Sequence, residues 1–185
     1  MKLAAIILIC FILSGCKPDN TTLTQITDLR QDLCAAEQCS FKATITANYP
    51  DECYIFQMNC QSDNSDSLQF QVISPKTICG INGSISQTGA NLTFDDQVLI
   101  FPVLAGGRAS PVCAPYYFIN TLRSGYIAGY SQLEDSILIQ MNDTYNNDSL
   151  QVEIQTDRNL VPISADIYYQ NNCILSLEIT DFMYE

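Results

Sequence analysis

Apolar and polar residues alternate along most of this chain, and the period of that alternation changes near residue 40. Before it, Ile26, Leu29, Leu33 and Ala36 recur at intervals of three and four, the spacing of one helical face. This predicts a short helix over 24–37, with Thr24 placed to cap it and Asp28 and Asp32 on its solvated side. After it the period is two. Phe41, Ala43, Ile45, Ala47 and Tyr49 share one face of a strand, and Pro50-Asp51-Glu52 has turn chemistry. Tyr54, Phe56, Met58 and Cys60 then form a second apolar set. Facing Tyr49 with Tyr54 places Ala47 by Phe56 and Ala43 by Cys60, so Cys60 is expected in the core.

The same period continues downstream. Leu68, Phe70 and Val72 start a strand that stops at Pro75, and two short alternating runs around 88–91 read as a hairpin. Val98 to Val103 is apolar almost throughout, the composition of a strand buried on both faces. Gly106, Gly107, Pro111 and Pro115 make 104–115 the longest irregular stretch, and tyrosine-rich strands are expected over 116–122 and 125–130. Ile137, Ile139 and Met141, then Leu150, Val152 and Ile154, flank a polar turn. Ile163, Ala165, Ile167 and Tyr169 are followed by Cys173, Leu175, Leu177 and Ile179. Holding those two faces together sets Tyr169 opposite Cys173 across a three-residue loop, with Cys173 buried. One short N-terminal helix and about ten strands predict an all-β fold, a single antiparallel β-sandwich or meander barrel.

The first residues have a different layout. Met1-Lys2 is a basic start, 3–13 is apolar, and Ser14-Gly15 places small residues before Cys16, as in a secretory signal. The run is too short to span a bilayer as a helix, which takes roughly 20 residues. Leu13-Ser14-Gly15-Cys16 resembles the lipobox of bacterial lipoproteins, which implies acyl chains on Cys16 and a membrane as partner. The expected organisation is a signal peptide at 1–15, a lipidated tether at 16–23 and one β-rich domain at 24–185. In the sorting pattern that the resemblance brings with it, Lys17 in place of aspartate implies the outer membrane of a Gram-negative cell. The alternative is an ordinary secretory signal followed by a secreted protein. Gly83 to Gly89 followed by Leu92-Thr93-Phe94 is similar to hairpins of small bacterial β-barrel lipoproteins, a likeness confined to that stretch.

Charge narrows the partners. With 8 Lys+Arg against 20 Asp+Glu the net charge is −12, one more negative once Lys2 is removed, and such a surface repels nucleic acid. Of nine cysteines, Cys10 leaves with the signal. In an exported chain, Cys34, Cys39, Cys53, Cys60, Cys79, Cys113 and Cys173 are disulfide candidates. Their odd number leaves one thiol over if Cys16 is acylated, and favours the secreted alternative if it is not. Asn20, Asn82, Asn91, Asn142 and Asn147 open glycan acceptor triplets, which would matter in a disulfide-rich secreted eukaryotic protein.

Candidate chemistry is sparse. The absence of histidine removes the commonest general base and histidine-ligated zinc, so no catalytic residue, metal ligand or cofactor is assigned. Asp63, Asn64 and Asp66, and likewise Asn142, Asp143, Asn146 and Asp148, lack calcium-loop spacing and suit turns. Tyr116, Tyr117, Tyr126 and Tyr130 follow the irregular stretch and, with Arg108 and Arg123, form a candidate recognition surface. A lipid-anchored envelope protein with a non-catalytic binding or structural role is the first expectation, its partner another envelope protein or a small ligand. The alternative is a lipocalin-like carrier of a small apolar molecule.

Overall fold

The structure is a computed structural model, which describes residues 20–48, 53–63, 66–95, 97–101, 104–105, 108–144 and 150–185. Helix α1 (Asn20–Ala35) precedes six strands: β1 (Gln38–Asn48), β2 (Cys53–Asp63), β3 (Ser67–Ser74), β4 (Asn82–Ser86), β5 (Gly89–Phe94) and β6 (Gln97–Phe101). A two-stranded hairpin, β7 (Leu104–Ala105) and β8 (Arg108–Ala109), leads through a 3-10 turn (Pro111–Cys113) into helix α2 (Ala114–Ser124). Five more strands follow: β9 (Tyr126–Gln132), β10 (Ser136–Asn142), β11 (Gln151–Asp157), β12 (Pro162–Tyr169) and β13 (Asn172–Tyr184).

Eleven strands form one antiparallel sheet in the order β6-β5-β4-β3-β2-β1-β13-β12-β11-β10-β9. Two meanders are thus joined where the first strand pairs with the last, Ile45 lying opposite Leu177. The sheet is open, with β6 and β9 as its edges. One face carries the expected alternation: Phe41, Ala43 and Ile45 on β1, Met58 and Cys60 on β2, and Leu175, Leu177 and Ile179 on β13 are all buried. The two helices lie against that face, α2 touching β10 to β13 and β3, and α1 packing on α2. Ile26, Leu29 and Leu33 point inward as their spacing predicts, although α1 begins earlier than Thr24.

Helix α2 replaces the strand expected over 116–122. Pro115 sits in its first turn, where a missing N–H costs nothing. Tyr116, Tyr117, Phe118, Ile119 and Leu122 are buried, so the helix is apolar on most sides and wedged between sheet and α1. A short continuous apolar run of that kind does not distinguish helix from strand by period. Phe118 is the centre of this layer, its ring meeting Phe41 edge-on at 5.4 Å and Phe182 at 6.1 Å.

Three further expectations change. Strand β6 is an exposed edge, with Val98, Leu99 and Ile100 at 63%, 61% and 74% exposure. In the first hairpin Ala47 faces Tyr54 and Phe41 faces Cys60, a shift of two from the expected pairing that leaves each side chain on its expected face. In the last hairpin Tyr169 faces Asn172, and Gln170 and Asn171 both have positive φ. An irregularity between Ile167 and Tyr168 restores Ile167 opposite Leu175. Cys173, expected in the core, consequently lies half-buried on the outer face beside Asp166 and Ser176.

Candidate functional site

Helix α2 covers the inward face over β10 to β13 and leaves the β2–β6 end thinly roofed. On that end the inward row comprises Tyr54 and Phe56 of β2, Val72 of β3 and Leu92 of β5. Ile78 and Ile81, from the segment joining β3 to β4, and Pro111 and Val112, from the 3-10 turn, close over them. These residues enclose a cleft of about 340 Å³, toward the lower end of the roughly 300–1,000 Å³ of ligand pockets. Every lining residue is apolar or aromatic.

The cleft is open toward the sheet edge. Leu92 lies opposite Leu99 of β6, so both side chains are on the inward face, and Leu99 is largely exposed. Phe94 and Tyr54 are each 46% exposed on the same face. Apolar surface therefore continues from the buried core, through half-buried walls, to solvent. Gly83 belongs to this end for a steric reason: a Cβ there would come within 2.6 Å of the Phe70 ring and 2.3 Å of the Asn91 carbonyl oxygen.

A second cavity, of about 530 Å³, is bordered by α2 and mixes polar and apolar groups. It contains two of the tyrosines flagged in the sequence. Tyr116 and Tyr117 are buried and line it with Asp66, Asn120 and Asp143. Burial raises the phenol pKa values of both, and nearby Asp66 raises that of Tyr116 further. Burial also raises the Asp143 carboxyl, against the opposing hydrogen bond that Oδ1 accepts from Leu150 N at 2.9 Å.

The remaining flagged residues do not join them. Tyr126 and Tyr130 are on edge strand β9, where Tyr130 packs on the core and Tyr126 is 48% exposed. Arg123 at the end of α2 donates from Nη1 to Ser62 Oγ at 2.7 Å and to the Asp63 carbonyl oxygen at 2.9 Å, tying the helix to β2. Arg108 belongs to β8, paired with Ala105, and its side chain lies outside the described residues. Cys16 and the rest of 1–19 also lie outside them.

The cysteines expected to pair are free thiols in this structure. Cys39, Cys60 and Cys113 are buried, Cys173 is half-buried, and Cys34, Cys53 and Cys79 are exposed. The sheet separates some of them: Cys53 Sγ lies on the outer face near Asn48 Oδ1, whereas Cys39 and Cys60 share the core face as separate thiols. Cys34 Sγ points at the Arg123 carbonyl oxygen, 3.7 Å away, and not at Cys39. Burial pushes the Cys39 thiol up to about 11, against the pull of the Arg123 guanidinium, and raises Cys60 still more. Among the described residues no group of acidic, cysteine or histidine side chains is placed to hold a metal. Nor is any described helix long and apolar enough to cross a membrane.

The cleft residues were not singled out in the sequence. Ile78 and Ile81 fall between strands, and Val112 sits between Pro111 and Cys113, so no period marks them. The one available signal was apolar residues placed where turn chemistry should dominate.

No protein-family model and no curated protein matches this chain. Solved structures do. A DUF1329 family protein from Desulfovibrio piger aligns with a TM-score of 0.51 at 8% identity, over 92% of this chain and 94% of that one. A LolA superfamily protein from Nitrosomonas europaea gives 0.48 at 10% identity, over 88% and 93%. A putative outer membrane lipoprotein-sorting protein domain from Vibrio parahaemolyticus also gives 0.48 at 10%, over 87% and 91%. At 8% identity the likeness to the Desulfovibrio piger protein is one of fold alone.

Proposed function

We propose that this chain is a non-catalytic envelope protein that takes an apolar chain, such as the acyl chain of a lipid, into the cleft between β2–β5 and the 3-10 turn. The observation that carries this reading is the lining: Phe56, Val72, Ile78, Ile81, Leu92 and their neighbours present no polar group, yet the cleft opens to solvent. Each methylene moved from water into such a site contributes about 0.8 kcal/mol. A ligand with a polar head can leave that head in water at the open edge beside Leu99 and Phe94. This is the carrier role with a half-open sheet in place of a closed barrel.

Anchoring through acyl chains on Cys16 belongs to the same proposal and is supported by Leu13-Ser14-Gly15-Cys16. The outer membrane is its proposed place if the source is Gram-negative, because Lys17 follows the cysteine. Solvent extraction of the purified protein followed by mass spectrometry tests the cleft, and the intact mass of the mature chain tests the anchor. Recovery of an apolar chain in near-stoichiometric amount is expected, together with a mass gain for acyl groups on a chain starting at Cys16. Protein that carries no lipid and binds none when offered contradicts the first part. A mature chain without acyl mass contradicts the second.

A further inference from the structure

The outer face of the sheet, opposite the cleft, carries a second concavity of about 550 Å³. Its walls are outward-facing side chains of β1 to β4, in directly paired rows. Lys42 faces Asn59 and Asn59 faces Gln71 in one row; Ser40 faces Gln61 and Gln61 faces Gln69 in the next. Phe41, Cys60 and Phe70 also border it, but their side chains are buried on the inner face, so its floor is main chain. Neighbouring strands stand about 4.8 Å apart, which sets the pitch of the carboxamides across the groove.

One rim is built by an irregularity in β13. The register jumps between Ser40 and Lys42 along the β1–β13 pair, and Asp181 takes a φ of 53°. Extra residues of this kind bend a strand and re-aim its side chains. Asp181 here reaches Lys42 Nζ at 2.7 Å, and Met183, opposite Ser40, stands 60% exposed on the same face.

The chemistry of this groove is selective. In a chain of net charge −12, Lys42 and Asp181 are the charged groups among the described residues that line it, and they neutralise one another. An anion would meet no free cation here, and a cation no free carboxylate. The side-chain amides of Asn59, Gln61, Gln69 and Gln71 have no hydrogen-bonded partner among the described residues, and each carboxamide offers two donors and two acceptor lone pairs. An extended peptide could not add to the sheet here, because β1 to β4 are interior strands whose main-chain groups are already committed to the ladder. Recognition has to come from side chains that both donate and accept, with the Met183 thioether as an apolar contact. Hydroxyl groups on a ring with C–H faces match that combination.

We propose that the outer groove over β1–β4 is a binding site for an uncharged oligosaccharide, read by Asn59, Gln61, Gln69 and Gln71. It is independent of the cleft on the other face. The test is backbone amide shift mapping on the full chain with chitotetraose and maltotetraose at about 10 mM, enough to saturate a millimolar site. Perturbation of amides in 40–42, 59–61 and 69–71 by either sugar is expected, chitotetraose alone marking an N-acetylated glycan. Gln61→Leu with Gln71→Leu, both exposed, should leave distant amides unshifted and weaken binding about tenfold, the loss expected when paired polar groups go unmatched. Silence with both sugars overturns the proposal. So does binding that the double variant leaves unchanged, or a neutral hexapeptide occupying the groove where the sugars do not.

Discussion

Arg30 of the first helix closes the C-terminal end of the second, donating from Nε to the Leu122 carbonyl oxygen at 3.1 Å and from Nη2 to the Gly125 carbonyl oxygen at 2.8 Å. The last carbonyls of a helix have no partner within it, and a guanidinium there also meets the negative end of the helix dipole. Burial lowers the pKa of Arg30, but an arginine stays charged. Arg30→Ala should therefore lower stability by about 2 kcal/mol, in the range of hydrogen bonds to charged groups, as read from the denaturant midpoint. Arg30→Lys should recover only part of that, because one ammonium cannot fork to two carbonyls. An unchanged midpoint in Arg30→Ala would show that the two helices hold together without the clamp.

Phe118 supplies the apolar counterpart. It is fully buried and meets Phe41 and Phe182. Phe118→Ala should cost about 3–5 kcal/mol through lost burial and the cavity left behind. Tyr126→Ala, on an exposed edge position, should shift the same melting curve by less than about 0.5 kcal/mol. Similar losses in both would place the core elsewhere.

The buried thiols make stability depend on alkaline pH. Cys39 is raised from 9.0 to about 11 and Cys113 from 9.0 to about 12, in each case by burial. A group whose folded pKa lies above its unfolded value stabilises the fold below the unfolded pKa and loses that contribution as pH rises through the folded one. The denaturant midpoint of the reduced protein should thus be insensitive to thiol ionisation up to about pH 9 and fall between about pH 9 and 12. Under native reducing-free conditions at neutral pH, a thiol reagent should modify Cys34, Cys53 and Cys79 quickly, and Cys39, Cys60 and Cys113 only after unfolding. Fast modification of Cys113 would contradict its buried place at the start of α2.

Strand β6 leaves apolar side chains and unpaired main-chain groups at a sheet edge. Such edges template association with other chains, and a lysine blunts them. Ile100→Lys, at an outward position opposite Asn91, should slow concentration-dependent association seen by light scattering while moving stability by less than about 0.5 kcal/mol. A variant that associates as fast as the parent would exonerate this edge.

Period-two residues carried most of the sheet into view from the sequence, because one buried face and one wet face leave a readable alternation. Ile137, Ile139 and Met141, or Leu175, Leu177 and Ile179, needed nothing more. Turn details were less legible. Gln170 and Asn171 accept positive φ and close a two-residue turn, and the irregularity beside Tyr168 then corrects the facing of the strands. Pattern alone demanded the correct facing of Ile167 and Leu175 but could not foresee that a two-residue turn with a bulge would deliver it. Helix α2 and strand β6 differ from the expected strands for a common reason: a continuous apolar run fixes neither the shape of the element nor its partner. The cleft was invisible because its walls come from β2, β3, β5 and two connecting segments, none marked by chemistry.

Chain-length dependence of binding distinguishes an apolar cleft from a chance depression, and a calorimetric series of straight-chain carboxylic acids of increasing length measures it. Affinity should rise about fourfold per added methylene, the equivalent of about 0.8 kcal/mol, until the cleft is full, and then level off. Leu92→Trp, which fills a half-buried wall, should abolish the rise while leaving the melting midpoint near that of the parent. No binding at any length, or a rise that Leu92→Trp leaves intact, would contradict the assignment of this cleft as an apolar-chain site.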